Sequence, residues 1–154
     1  MAQNRRSARE AALKALYAVD VGDNSPQDAT THILKPALES DPEAVKFAEK
    51  LLYTCVDHKQ DHEELIENHI DNWKINRLAI MDRLILRLAI TELLLFEDIP
   101  SKVSINEAIE LAKLYSTRKS GVFVNGILDA ILATLTRDDR IVKKGRGLVN
   151  ISRS

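Results

Sequence analysis

Glycine, proline and cysteine are scarce in this 154-residue chain, and each shortage removes a class of protein. Five glycines and four prolines are too few turn residues for a sandwich of many short strands. A single cysteine, Cys55, excludes an internal disulfide, and a zinc site would need its other ligands from elsewhere. No apolar run follows the arginines of the opening MAQNRRSARE, so it does not read as a secretory signal. The longest apolar stretch, 78–96, is broken by Asp82, Arg83, Arg87 and Glu92, and four charges forbid a membrane span. What is present is a globular balance of 45% hydrophobic and 29% charged residues. A chain of this length buries about two-thirds of its unfolded surface. The expectation is a soluble, cytoplasmic, helical protein.

The net charge of −1 conceals a segregation. Residues 1–14 carry +3 and residues 137–154 carry +4, while the body between them carries −8. Basic ends on an acidic body suggest polyanion binding at the ends, although solvated basic termini are also common.

Helical periodicity runs through most of the chain. Over 5–20 the apolar positions are Ala8, Ala12, Ala15, Leu16 and Val19. A weaker pattern passes through Ile33, Leu34 and Leu38. Asp41 then reads as an N-cap with Pro42 at the first helical position. Val45, Ala48, Leu51, Leu52, Cys55 and Val56 define the next helix, and a break at 58–60 precedes a shorter one holding Leu65, Ile66 and Ile70. Residues 72–76 read as a connector. The stretch 77–96 is apolar on nearly every side, as befits a helix with several neighbours. Ser104 with Glu107 spells a capping box for the following helix. A polar loop from Ser116 to Gly121 leads to a last helix through Val124, Ile127, Leu128, Ile131 and Leu135. No strand alternation is visible, so the fold class is all-α with about seven helices. One domain spans 1–140, followed by a basic, flexible tail over 141–154.

No catalytic constellation emerges. His58 and His62 have metal-ligand spacing, but they stand in a charged, solvated-looking stretch without an HExxH motif, and structural or solvent-facing roles for them and His69 are expected. Cys55 falls on an apolar repeat and reads as core. Gly145 and Gly147, the closest glycine pair, follow no strand and make no phosphate loop. No metal and no cofactor are expected.

The first and last helices are more informative. At about 100° per residue, Arg6, Glu10, Leu13 and Tyr17 share one stripe off the expected core face, with Arg9 beside it. Arginines at a helix start oppose the macrodipole, and phosphate contact offers a reason for them. Tyr17 offers a ring for base stacking. In the last helix Phe123 lies on the flank and Gly126 well away from the core, with Lys113, Arg118 and Lys119 just upstream. Basic residues interleaved with off-core aromatics suit single-stranded RNA. A solvated amphipathic first helix, or a Phe123 that packs on a neighbour, would explain the same pattern without RNA.

The blocks RRSAREAALKALY at 5–17, DRLILRLAITEL at 82–93 and SINEAIELAKLYSTRKSGVFVNGILD at 104–129 together resemble the bacterial transcription antitermination factor NusB family over about residues 4–136. The resemblance implies two three-helix bundles set across one another and a role that is not enzymatic. It implies binding of boxA RNA in nascent ribosomal RNA transcripts, together with the ribosomal protein NusE, within the RNA polymerase antitermination complex. Carried onto this sequence, the RNA residues are Arg5, Arg6, Arg9, Tyr17, Phe123 and Gly126, and the NusE-facing carboxylate is Asp82. The resemblance also leaves a homodimer open, which would be self-inhibiting if it buried the RNA face. Arg118 and Lys119 stand where some relatives carry acids, and the tail runs past the family's usual end. A related domain is fused to ribosomal RNA cytosine methyltransferases, but the cofactor domain and cysteine motif of such an enzyme are not expected here. The competing reading is a helical interaction module whose acidic body docks a basic partner without RNA.

Overall fold

The structure, a computed structural model, describes residues 2–39, 41–70 and 75–148. Among these residues every regular element is helical, and the chain divides into two compact units at His58/Lys59.

The first unit holds α1 (Ala2–Asp20), α2 and α3 (Pro42–Asp57). Helix α2 is a composite of Pro26–Ala29, a π-helical stretch Thr30–Leu34 and Lys35–Ala37. Its start follows the sequence rules: the Ser25 side chain accepts from the Asp28 N–H, and Pro26 takes the first position. Asp41 and Pro42 open α3 in the same way, with Asp41 Oδ1 accepting from Ala44 N–H at 3.1 Å. Helix α1 packs along α3 and also meets α2. Two neighbours give α1 a broad buried face of Ala8, Ala11, Ala12, Leu13, Ala15 and Leu16. Leu13, expected on the outer stripe, is therefore core, and Val19, expected in the core, is only half-buried.

The second unit holds α4 (Lys59–Glu67), a 3-10 turn at Ile75–Arg77, α5 (Ile80–Leu95), α6 (Ser101–Tyr115), α7 (Arg118–Arg137) and a 3-10 turn at Gly145–Leu148. With α2 counted once, the described residues form seven helices. The expected connector 72–76 falls largely outside the described residues. Helix α5 contacts α4, α6 and α7, and every residue from Leu84 to Leu93 is buried. Its apolar circumference thus has a neighbour on each side.

Buried polar groups tie these helices together. The Thr91 hydroxyl donates to the Arg87 carbonyl at 2.8 Å, leaving its oxygen to accept from His62 Nδ1–H at 3.2 Å. His69 donates from Nδ1 to the Leu65 carbonyl and accepts at Nε2 from the Thr134 hydroxyl, both at 2.8 Å, which joins α4 to α7. His62 is buried rather than solvated. Ser104 is not a cap. Helix α6 starts earlier, after Pro100, and Ser104 points inward to donate to Glu92 Oε1 at 2.7 Å. A buried carboxylate needs donors more than a helix end open to water does. The loop expected over Ser116 to Gly121 is shorter too, because Thr117 caps α7 by accepting from Ser120 N–H.

The tail, expected to be flexible from 141, is held over its described part. Lys143 Nζ donates to the carbonyls of Glu92 at 3.0 Å and Phe96 at 2.9 Å, closing the C-terminal end of α5. Lys144 N–H donates to the Glu97 carbonyl at 2.9 Å. A cation suits the negative end of a helix, and that is what the periodicity of an isolated tail could not display. Residues 149–154 lie outside the described residues.

Candidate nucleic-acid interface

Each unit carries part of the expected RNA-binding set. On α1, Arg6 is exposed, Arg5 half-buried, and Tyr17 is 42% exposed. Arg6 and Tyr17 lie eleven residues apart on one stripe, about 16 Å along the axis. The first turn of α1 contains no acidic residue. Its positive macrodipole end therefore adds to the arginines instead of being neutralised. Arg9 departs from expectation, for it is only 4% exposed and its guanidinium lies over the Phe47 ring of α3. Burial against that ring withdraws it from open solvent.

In the second unit Lys113, Arg118 and Lys119 are exposed around the junction of α6 and α7. Lys113 Nζ stands 3.7 Å from Glu110 Oε1, and its stem lies against the buried Gly121, where a Cβ would come within 3.3 Å of Lys113 Cγ. Helices α6 and α7 approach closely at that glycine. Three residues apart on α7, Phe123 is half-buried and Gly126 is exposed. A Cβ at Gly126 would meet nothing within 4 Å, so packing does not require glycine there. The missing side chain leaves open surface at that position, three residues along the helix from Phe123.

Asp82 has a different setting. Expected to face a partner, it is 7% exposed, and its Oδ2 accepts from Ser120 Oγ at 3.0 Å. Ser120 Oγ in turn lies 2.9 Å from Ser116 Oγ and 3.0 Å from Thr117 Oγ1. The carboxylate thus anchors the link between α6 and α7. Its Oδ1 is buried without a hydrogen-bond partner among the described residues.

Among the described residues, no group of three or more His, Cys, Asp or Glu could hold a metal, and no helix is long and apolar enough to cross a membrane. The NusB family model matches residues 6–133, which include most of α1 and most of α7. The chain belongs to the NusB family.

Among NusB relatives, the transcription antitermination protein NusB of Salinibacter ruber is 47% identical over 148 residues, covering 96% of this chain and 92% of that protein. The Bacillus velezensis protein of the same name is 46% identical over 127 residues, or 82% and 94% of the two chains. A crystal structure of the antitermination factors NusB and NusE in complex with dsRNA matches with a TM-score of 0.76 at 30% identity. That match covers 87% of this chain and 99% of the other. T. maritima NusB matches with a TM-score of 0.71 at 38% identity, covering 84% and 90%. The NusB model stops at 133, so the docked tail lies outside it.

Two exposed or half-exposed groups were not anticipated from the sequence. Val122 is 77% exposed one residue before Phe123, and Phe47 holds the arginines of α1. Val122 sits one turn from Gly126, a spacing that could have flagged it. Nothing in the α3 periodicity distinguishes Phe47 from an ordinary flanking residue.

Proposed function

We propose that this chain is a transcription antitermination factor that binds boxA-type RNA of nascent ribosomal RNA transcripts together with NusE. It acts in the cytoplasm, in the RNA polymerase antitermination complex, as a binding protein and not an enzyme. The observation that carries this reading is the start of α1, where arginines gather at a positive helix end with no acid in the first turn. Such an end attracts phosphate. Arg118 and Lys119 beside Phe123 and Gly126 supply a second basic and aromatic surface, suited to unpaired bases. Asp82 is the carboxylate assigned to NusE. The NusB relative solved with NusE and dsRNA supports both partners.

Filter binding with a short boxA-type RNA, with and without NusE and across salt concentrations, tests the reading. Tight binding that NusE strengthens is expected. Replacing Arg5 and Arg6 together by alanine should flatten the salt slope by up to about 1.4, at roughly 0.7 per single-strand phosphate. Phe123→Ala should weaken binding about tenfold with the slope unchanged, since stacking depends little on salt. Equal affinity for an unrelated RNA, with no NusE effect, would instead favour the interaction module without an RNA role.

A further inference from the structure

We infer that Ser120 is the positioning residue of the partner face, holding the Asp82 carboxylate fixed and shielded from water for a cationic side chain of NusE. This rests on the NusE role of Asp82 proposed above. Asp82 is 7% exposed and Ser120 is 5% exposed. Asp82 Oδ2 accepts from Ser120 Oγ at 3.0 Å, while Asp82 Oδ1 is buried with no hydrogen-bond partner among the described residues.

A serine hydroxyl has one proton to donate and two lone pairs with which to accept. Ser120 gives its proton to Asp82, so its oxygen accepts from Ser116 Oγ at 2.9 Å and from Thr117 Oγ1 at 3.0 Å. The hydroxyl is then saturated, with both neighbours pointing their protons at it. Hydrogen bonds in series polarise one another, which strengthens the last one, to the carboxylate. One oxygen of Asp82 is thus held by a group that has no other bond to make. The other oxygen has no donor. A buried carboxylate oxygen in that state costs stability, and folded chains seldom leave one. Asp82 stands in the first turn of α5, where the positive helix end offsets part of the cost without supplying a hydrogen bond. An opposite charge from outside the chain accounts for the rest. Desolvation usually cancels much of the attraction in an interfacial ion pair. At Oδ1 that loss of water has already happened on folding, so the attraction of an approaching cation is retained. The small exposed part of Asp82 sets its charge just beneath the surface, in range of an ammonium or guanidinium once an interface excludes water. A carboxylate only accepts, and the cationic donors of a protein partner are lysine and arginine.

The test measures binding of purified NusE to the full chain, beside binding of a boxA-type RNA without NusE. Ser120→Ala removes the donor and should weaken NusE binding about five- to tenfold. Ser120→Thr keeps the hydroxyl and should stay within about twofold of wild type. Ser120→Cys keeps the shape with a weaker donor and should fall between them, which decides the matter if the alanine variant folds poorly. In an Asp82→Asn background, Ser120→Ala should weaken NusE binding no further. RNA affinity without NusE should hold in all of these, since Arg118 and Lys119 move only if the whole corner is disrupted. Wild-type NusE affinity in Ser120→Ala or in Ser120→Cys overturns the positioning role. So does an equal alanine effect beside Asp82→Asn, or an RNA affinity that falls in step with NusE affinity. If Asp82→Asn itself binds NusE as wild type, the NusE role of Asp82 has failed, a result distinguishable from failure of Ser120 alone.

Discussion

Gly147→Ala should undo the docking of the C-terminal segment. The Cβ of alanine there would collide with the backbone carbonyl of Glu97, and Lys143 Cβ stands 3.1 Å away on another side. Neither neighbour is a flexible side-chain end, so the segment must lift. Lifting it breaks the Lys144 N–H bond to Glu97, a neutral contact worth about 1 kcal/mol. It also frees Lys143 Nζ from the Glu92 and Phe96 carbonyls. That ammonium loses solvation on docking, so its two bonds together add about another 1 kcal/mol net. Released residues regain some entropy, which holds the total to at most about 2 kcal/mol. For a domain of this size that is a fall in Tm of roughly 4–8 °C, measurable by calorimetry. Gly145 supplies the control. A Cβ there meets open space, and only its φ of +54° resists substitution, so Gly145→Ala should lose about 1–2 kcal/mol through backbone strain alone. A chain ending at Arg140 should melt no lower than Gly147→Ala. An unchanged Tm in Gly147→Ala, or a much larger fall on truncation, would refute the docking argument.

Other outcomes follow from the buried polar ties. Ser104→Ala removes the hydroxyl that donates to Glu92 Oε1 and should cost about 2 kcal/mol, read as a lower urea midpoint at constant m; a change under about 0.5 kcal/mol would mean the bond contributes little. Asp82→Asn preserves shape and the Ser120 contact, so NusE affinity should fall about tenfold while Tm holds, and equal affinity would end the partner role of Asp82. Burial lowers the Lys143 pKa, against the opposing attraction of Glu92, Asp98 and Glu97. Between that lowered value and the ordinary lysine value the unfolded chain holds more protons, so Lys143 makes stability rise with pH across this window. Lys143→Met should lose that rise in alkaline melts, and parallel curves for the two forms would contradict it.

The helices were legible in the sequence wherever apolar spacing and an N-cap agreed, as at Asp41–Pro42. Ser104 shows where that logic fails. Its capping-box spelling was sound locally, but a buried Glu92 twelve residues earlier claimed the hydroxyl. Leu13 misled for a similar reason, because one-helix periodicity cannot show how many neighbours a helix has. The tail looked featureless since its partners are backbone carbonyls of α5, which leave no trace in residue identity. Of the candidate site, Arg6, Tyr17, Lys113, Arg118, Lys119 and Gly126 stand exposed as their positions implied. Arg9 and Asp82 are both charged and both buried, each held by a side chain from a different helix that periodicity within its own helix could not reveal.

The π-helical stretch of α2 has a consequence for chain length. At Lys35 N–H bonding to the Thr30 carbonyl, the helix accommodates one residue more per turn than an α-helix would. The wider turn takes up the additional residue locally, so the helix on either side keeps its face. Deleting one residue among Thr31, His32 and Ile33 would let the turn close to α geometry while Leu34 and Leu38, both beyond it and both buried, stay turned to the core together. What the closed turn would meet is Pro36, whose ring has no N–H to give and crowds the carbonyl four residues earlier in an α-helix. The exposed stretch around Thr31 and His32 is thus a place where the length of this chain can vary by one residue at a cost set by Pro36 and not by the core.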